Sequence, residues 1–136
     1  FADDLRKRGV HPVGTGEVIV ATFQPHQDTV AAAIREAGLE LEVIMNKDAV
    51  MVLPRGVDKA YGLAPALTEL GLTADRVVAV GDAENDHTFL KMCGFSVAVA
   101  NALPELKAAV HHVTKGPRGA GVAELIDLML ADALGA

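Results

Sequence analysis

The sequence predicts a doubly wound parallel α/β fold from residue 54 onward, preceded by a smaller α+β segment. After Pro54, apolar runs of strand length alternate with segments whose apolar residues recur at helical spacing, which is typical of a parallel sheet covered by helices. Before Pro54, apolar and polar residues alternate with a period of two over residues 39–46, as in a half-exposed strand. We therefore divide the chain into residues 1–53 and 54–136.

The first segment carries the signals of one helix and three strands. Gly14 and Gly16 are predicted as turn residues ahead of the first strand. In chain order, the predicted elements are a strand at 17–23, a helix from Asp28 or Thr29 to Gly38, a strand at 39–45, a turn at 46–48 and a partner strand at 49–53. These elements suggest an antiparallel α+β unit that lacks its own beginning.

The second segment alternates helices with short apolar strands. Its first helix is predicted to bury one face, formed by Leu63, Ala66, Leu67 and Leu70. In chain order, the predicted elements are a helix from Asp58 or Lys59 to Gly71, a strand at 77–80, a helix at 84–92, a strand at 95–100, a helix from Pro104, an edge strand at 112–114 and a helix at 119–130 with apolar Val122, Leu125, Ile126 and Met129.

Composition excludes several classes of function. A net charge of −6 argues against nucleic acid or an anionic membrane as the main partner. No apolar run approaches the ~18 residues that a membrane span needs. Cys93 is the only cysteine, so an internal disulfide is impossible, and we expect a reducing, cytoplasmic setting.

Polar residues collect where the strand at 77–80 ends. Asp82, Asn85 and Asp86 follow it directly, and Lys59 opens the preceding helix. Helix N-termini and the carboxyl ends of parallel strands share one edge of the sheet, where ligands bind and anions are favoured. Clustered carboxylates repel one another without a cation, and oxygen ligands without paired His or Cys favour Mg²⁺. We therefore predict a magnesium and phosphate site that includes Asp82 and Asp86.

Two further polar groups are predicted at the same edge. Asn101 follows the strand at 95–100, and Arg118 lies in the Gly-Pro-Arg-Gly loop before the last helix. We favour a solvated loop arginine for Arg118, with an anion ligand beside the last helix as the alternative. His87 is interpreted as a surface or packing residue.

The motifs at residues 56–63 (GVDKAYGL) and 81–86 (GDAEND), followed by 97–102 (VAVANA) and 119–122 (GAGV), resemble the haloacid dehalogenase superfamily of phosphohydrolases. The similarity is strongest to its C2-capped, Cof-like sugar-phosphate phosphatases. It extends over residues 54–130, and residues 16–53 resemble the last part of the family's cap domain.

The resemblance implies a Rossmann-like core and a role for each motif residue. Asp82 would be a direct Mg²⁺ ligand, and Asp86 would hold metal-bound water or orient the lysine. Asn85 would contact the phosphate or its surroundings. Lys59 would pair with the phosphoryl oxygens and with the family's nucleophilic aspartate, which carries the phosphoryl group covalently. The implied substrate is a small phosphorylated metabolite, such as a sugar or polyol phosphate.

The sequence departs from this family at its nucleophile. No DxDGT-like motif occurs in the 136 residues, nor does the Ser/Thr motif that precedes the cap. The chain opens on Phe1 rather than Met. We therefore expect the C-terminal part of a longer enzyme, inactive alone, whose partner is the missing N-terminal half.

Three other interpretations remain open. The chain is alternatively a non-catalytic module that binds metal and phosphate. A receiver-like signalling domain also combines a parallel sheet with an acidic Mg²⁺ site, but there the lysine follows the acidic residues, whereas Lys59 precedes them. Asp82 and Asp86 are also compatible with a simple capping cluster at a helix start.

Overall fold

A computed structural model describes residues 1–134 of the chain, which divide into two compact units. The first unit is Phe1–Asp58, and the second begins at Lys59. The boundary predicted from the sequence, after residue 53, lies inside the first unit at the end of its last strand. The assignment of the two segments as cap remnant and core stays a prediction.

An antiparallel sheet of four strands forms the first unit. Its elements are α1 (Ala2–Lys7), β1 (Gly14–Thr15), β2 (Val20–Phe23), α2 (Gln27–Glu36), β3 (Leu41–Asn46) and β4 (Ala49–Pro54). The strand order is β1-β2-β4-β3. One core cluster joins both helices and the sheet, through Leu5, Val10, Val30, Ala33, Val50 and Val52.

The start of this sheet differs from the prediction. The strand predicted at 17–23 begins only at Val20, and Gly14, predicted as a turn residue, lies in β1. The reason is a tight hairpin in which the Gly16 N–H donates to the Ile19 carbonyl at 2.8 Å. This turn takes residues 17 and 18 out of the sheet, and β1 pairs antiparallel with β2.

A parallel sheet of three strands forms the second unit. Its elements are α3 (Lys59–Glu69), β5 (Val78–Gly81), α4 (His87–Met92), β6 (Phe95–Ala98), α5 (Pro104–Lys107), β7 (His112–Val113) and α6 (Arg118–Leu130). Short 3₁₀ turns precede β5 and α4, at Ala74–Arg76 and Glu84–Asp86. Both neighbouring pairs, β5–β6 and β6–β7, are parallel, as the alternation of elements predicts.

Packing of the second unit confirms only part of the predicted helix faces. The core contains small residues of the sheet and apolar residues of α4 and α5, namely Ala79, Leu90, Cys93, Ala98, Val99, Ala102 and Leu106. Leu63 packs against it and Leu67 is buried, but Ala66 is exposed and Leu70 is 70% exposed. The prediction of a fully buried stripe on α3 is wrong, because nothing in the described part of this unit covers that side. On α6, Leu125 is buried whereas Val122, Ile126 and Met129 are exposed.

Among residues 1–134, no helix has both the length and the apolar character needed to cross a membrane.

A substitution at Gly94 tests the close packing between the 3₁₀ turn before β5 and the start of β6. A Cβ at this position would lie 1.9 Å from the backbone oxygen of Asp75. We expect Gly94→Ala to lower the free energy of unfolding by roughly 1–3 kcal/mol or more, because backbone must move to admit the methyl group. Gly62→Ala is the matched control, since a Cβ there meets no atom within 4 Å. Because residue 62 lies inside α3, the Gly62→Ala substitution should raise the free energy of unfolding by about 0.5–1 kcal/mol. Urea denaturation measures both, and equal effects would contradict the packing described here.

Candidate active site at the carboxyl end of the parallel sheet

The backbone of Asp82 is fixed from two sides where β5 ends. Its N–H donates to Asp86 Oδ2 at 2.7 Å, and its carbonyl accepts from the Leu103 N–H at 3.1 Å. The Asp82 residue is only partly buried. The aspartate therefore stands at the strand end with its main chain held in place, as the sequence predicts.

Asp86 is the most connected side chain of the site. It is 3% exposed. Its Oδ2 accepts from the Asp82 N–H and from the Ala83 N–H at 3.2 Å, while its Oδ1 accepts from the ammonium of Lys59. These bonds close the 3₁₀ turn before α4, which explains why the helix predicted at 84–92 becomes regular only at His87. The structure thus joins two predicted site residues that lie 27 positions apart.

Lys59 occupies the first position of α3 and has a second contact on α4. Its Nζ lies 5.7 Å from the centre of the Phe89 ring. A cation over an aromatic face is attracted by the ring quadrupole. The ammonium is thus positioned by a carboxylate and by a ring, and half of the lysine side chain remains exposed.

Gly81 is required by this arrangement for a steric reason. A Cβ on Gly81 would lie 2.6–2.8 Å from the Cβ, Cγ and Oδ2 atoms of Asp86. Any larger residue would push the carboxylate away from the amides that it accepts from. The glycine of the Gly-Asp pair thus makes room for the second aspartate of the motif.

Electrostatics favour the ionised form of Asp86. Burial acts to raise the pKa of this carboxyl group, but hydrogen bonds from Lys59 and from the amides of Asp82 and Ala83 outweigh burial. The pKa of Asp86 is consequently held below its ordinary value of 3.8.

Asn85 leaves one acceptor without a partner. Its Oδ1 atom is buried and accepts no hydrogen bond from the described residues. A buried acceptor in this state is destabilising unless a cation or a donor reaches it. The amide oxygen is therefore available to a ligand of the site.

An open cavity of about 420 Å³ lies at the end of β5, and Asn85 is not among its lining residues. Its charged lining comes from Lys59, Asp82, Asp86 and Arg118, and its apolar lining includes Val80, Phe89, Val99 and Val122. Sequence reasoning missed Phe89, although its position three residues after Asp86 places it on the same side of the helix. It also assigned Arg118 to solvent, whereas this exposed side chain lines the cavity.

Asn101 holds the backbone of Arg118, a residue that lines the cavity. The Asn101 Oδ1 atom accepts from the Arg118 N–H at 2.7 Å, which ties the start of α6 to the segment after β6. His87 is not among the residues that line this cavity.

The donor set suits a hard cation in part. Carboxylate and amide oxygens are the ligands that Mg²⁺ prefers, and the unpartnered Asn85 oxygen fits such a site. Both oxygens of Asp86 accept hydrogen bonds, and Asp82 is the other carboxylate residue that lines the cavity. No group of three or more His, Cys, Asp or Glu residues in the described part of the chain could hold a metal ion. The described residues thus supply only part of a coordination shell.

A family model of haloacid dehalogenase-like hydrolases matches residues 18–126. The chain belongs to the haloacid dehalogenase-like hydrolases. This match confirms the family inferred from the lysine and GDAEND motifs, and the Rossmann-like interpretation of the parallel sheet.

Relatives of this haloacid dehalogenase-like chain include two archaeal enzymes. The phosphoglycolate phosphatase of Methanothermobacter thermautotrophicus is 35% identical over 124 residues, covering 88% of this chain and 56% of that protein. Phosphoglycolate phosphatase 2 of Saccharolobus solfataricus is 38% identical over 91 residues, covering 67% of this chain and 39% of that protein. The chain thus spans about half the length of the curated relatives it matches.

A solved structure agrees with this assignment. A haloacid dehalogenase-like hydrolase from Bacteroides thetaiotaomicron superposes with a TM-score of 0.66 at 28% identity, over 82% of this chain and 44% of that one. The superposition supports an α/β fold of the haloacid dehalogenase type.

The pKa of Asp86 gives a pH-dependent test of the lysine–aspartate pair. Because the folded pKa is lowered, ionised Asp86 stabilises the fold fully above pH 3.8, and this contribution is lost as pH falls through the folded pKa. We expect Asp86→Asn to lower the free energy of unfolding by roughly 1–3 kcal/mol at pH 7, since charge-assisted hydrogen bonds are lost. The free energy of unfolding of this variant should also change less with pH than that of the wild type.

Urea denaturation at pH 7 and pH 3 measures both effects. Asp127→Asn, which changes an exposed carboxylate on α6, is the control and should shift stability by no more than about 0.5 kcal/mol. An Asp86→Asn variant with wild-type stability at both pH values would contradict the role given to this carboxylate.

Proposed function

We propose that the chain is the metal- and lysine-bearing part of a Mg²⁺-dependent phosphatase that acts on a small phosphorylated metabolite. One observation carries the proposal: the Lys59–Asp86 pair lies beside Asp82 at the end of a parallel strand, in one cavity. Membership of the haloacid dehalogenase-like hydrolases and similarity to phosphoglycolate phosphatases support it.

Each side chain has a defined task in this proposal. Asp82 holds the metal, and the unpartnered Asn85 oxygen is a candidate for a further ligand contact. Bound Mg²⁺ supplies positive charge that stabilises a phosphoryl group in transfer. Lys59 binds a phosphoryl oxygen through its ammonium and adds a second positive charge. Asp86 keeps the ammonium in position, rather than coordinating the metal directly.

In this proposal the nucleophile comes from outside these 136 residues. A family-type aspartate motif does not occur in the sequence, and we propose that an N-terminal segment supplies it. The isolated chain is then expected to bind metal or phosphate weakly and to hydrolyse nothing. A cytoplasmic location also stays a prediction, supported by the single, unpaired and buried Cys93.

The substrate class follows from the relatives and from the size of the cavity. Two relatives are named phosphoglycolate phosphatases. A cavity of about 420 Å³ accommodates a small ligand rather than a polymer. We propose a small phosphate monoester, either a sugar or polyol phosphate or a phosphorylated acid, and no nucleic acid or membrane partner.

A non-catalytic module is the second candidate. The absence of a nucleophile motif from the sequence favours it. Such a module would bind Mg²⁺ and phosphate at the same residues without turnover, even in the full-length gene product.

Asp82→Asn tests the proposed catalytic role. In the full-length gene product with Mg²⁺, we expect kcat/KM for phosphate monoesters to fall roughly 100-fold or more, because the carboxylate that holds the metal is lost. Asp75→Asn is the matched control, since Asp75 is an exposed aspartate at the opposite end of the same strand. Equal activity of the two variants would contradict the assignment of Asp82 as the metal-binding carboxylate.

The isolated chain gives a separate test of the nucleophile. A phosphate-release assay of residues 1–136 with Mg²⁺ should give no turnover above buffer, whereas the full-length gene product should be active. Turnover by the isolated chain would mean that a residue within it serves as nucleophile. No turnover by either protein would favour the non-catalytic module.

A further inference from the structure

Arg118 is a cation of the cavity whose charge is not used by the described residues. Its side chain makes no hydrogen bond or ion pair within residues 1–134, whereas the Lys59 ammonium in the same cavity is bound to Asp86. The backbone N–H of Arg118 donates a hydrogen bond to Asn101 Oδ1. An unpaired guanidinium on the wall of a cavity is available to an anionic ligand.

The backbone at Arg118 has a conformation that glycine would adopt more easily. Its φ angle is +50°, in the left-handed region that disfavours residues with a Cβ atom. The hydrogen bond to Asn101 helps to hold it there. A non-glycine residue in this conformation, at the edge of a candidate site, is a reason to look for a role of its side chain.

The backbone of Arg118 is held next to a different strand from the residues of the proposed phosphoryl site. Asp82 and Lys59 lie around the end of β5, whereas Arg118 is tied by Asn101 to the segment that follows the neighbouring strand, β6. The lining of the same cavity includes Val80 and Val99, which are apolar. A cavity with cationic groups and an apolar lining suits a ligand with two anionic groups joined by a short, non-ionic linker.

We propose that Arg118 binds a carboxylate of the substrate while the phosphoryl group lies at Lys59 and Asp82. Small phosphorylated carboxylic acids are then the preferred substrate class among the candidates named above. The guanidinium fork matches the two oxygens of a carboxylate, which favours this pairing over an uncharged hydroxyl group. The proposal rests on the proposed phosphatase function for the placement of the phosphoryl group.

A pair of non-hydrolysable ligands measures the contribution of the ligand carboxylate to binding. Phosphonoacetate and methylphosphonate share a phosphonate and differ by a carboxylate, and calorimetric titration with Mg²⁺ gives their affinities for the full-length gene product. We expect wild type to prefer phosphonoacetate. Arg118→Gln should weaken phosphonoacetate about 10- to 100-fold, since hydrogen bonds to a charged group are lost, and should leave methylphosphonate unchanged.

The Arg118→Gly variant distinguishes the loss of the arginine side chain from misfolding of the protein. Glycine accepts the +50° φ angle, so this variant should unfold at the same or a higher temperature than wild type. It should nevertheless show the same loss of phosphonoacetate affinity. Arg76→Gln is the matched control, because Arg76 is exposed and precedes β5 at the opposite end of the sheet.

Several outcomes would overturn the proposal. An equal loss of affinity for both ligands would place Arg118 at the phosphoryl group, and unchanged affinities would leave it without a binding role. No binding of either ligand to wild type would also refute it. If no phosphate ester is hydrolysed but the carboxylate preference disappears with Arg118, the phosphatase proposal fails and the role of Arg118 stands. If phosphate esters are hydrolysed without any preference for a carboxylate, the role of Arg118 is refuted and the phosphatase proposal stands.

Discussion

The carboxylate of Asp86 accepts two backbone amides and one ammonium, and the second unit is organised around these three bonds. They close the turn between β5 and α4, they hold the Asp82 main chain at the strand end, and they fix the Lys59 side chain at the start of α3. Since the side chain is almost fully buried, a lost partner would leave a charge in a poorly solvated place, which is costly. The same constraint dictates a glycine at position 81.

This interaction links the fold to the chemistry of the site. A flexible lysine would have to lose rotamer freedom each time it met a phosphoryl group. Here a carboxylate on one side and the Phe89 ring on the other hold the ammonium before any ligand arrives. Preorganised charge of this kind stabilises a transition state without reorganisation during the reaction. Asp86 thus contributes by positioning the lysine, whereas the metal ligand that we propose is Asp82.

Much of the fold and of the site follows from the sequence because local pattern and topology agree. Parallel strands separated by helices bring strand ends and helix starts to one edge, which is how Lys59 and Asp86 meet. The elements that escaped prediction depend on tertiary contacts or are too short to show a period. Helix α1 spans six residues with Leu5 as its one buried residue. The backbone of Arg118 is bonded to the side chain of Asn101, 17 positions away, and no local pattern predicts that bond.

A crystal structure of the full-length gene product with Mn²⁺, in place of Mg²⁺, and inorganic phosphate tests the central claim most directly. The anomalous signal of the metal identifies its ligands without reference to activity. Our account predicts a metal bonded to the Asp82 carboxylate and a phosphate oxygen within hydrogen-bond distance of Lys59 Nζ, with the Lys59–Asp86 bond retained. A metal bound elsewhere, or a phosphate that does not contact Lys59, would contradict it.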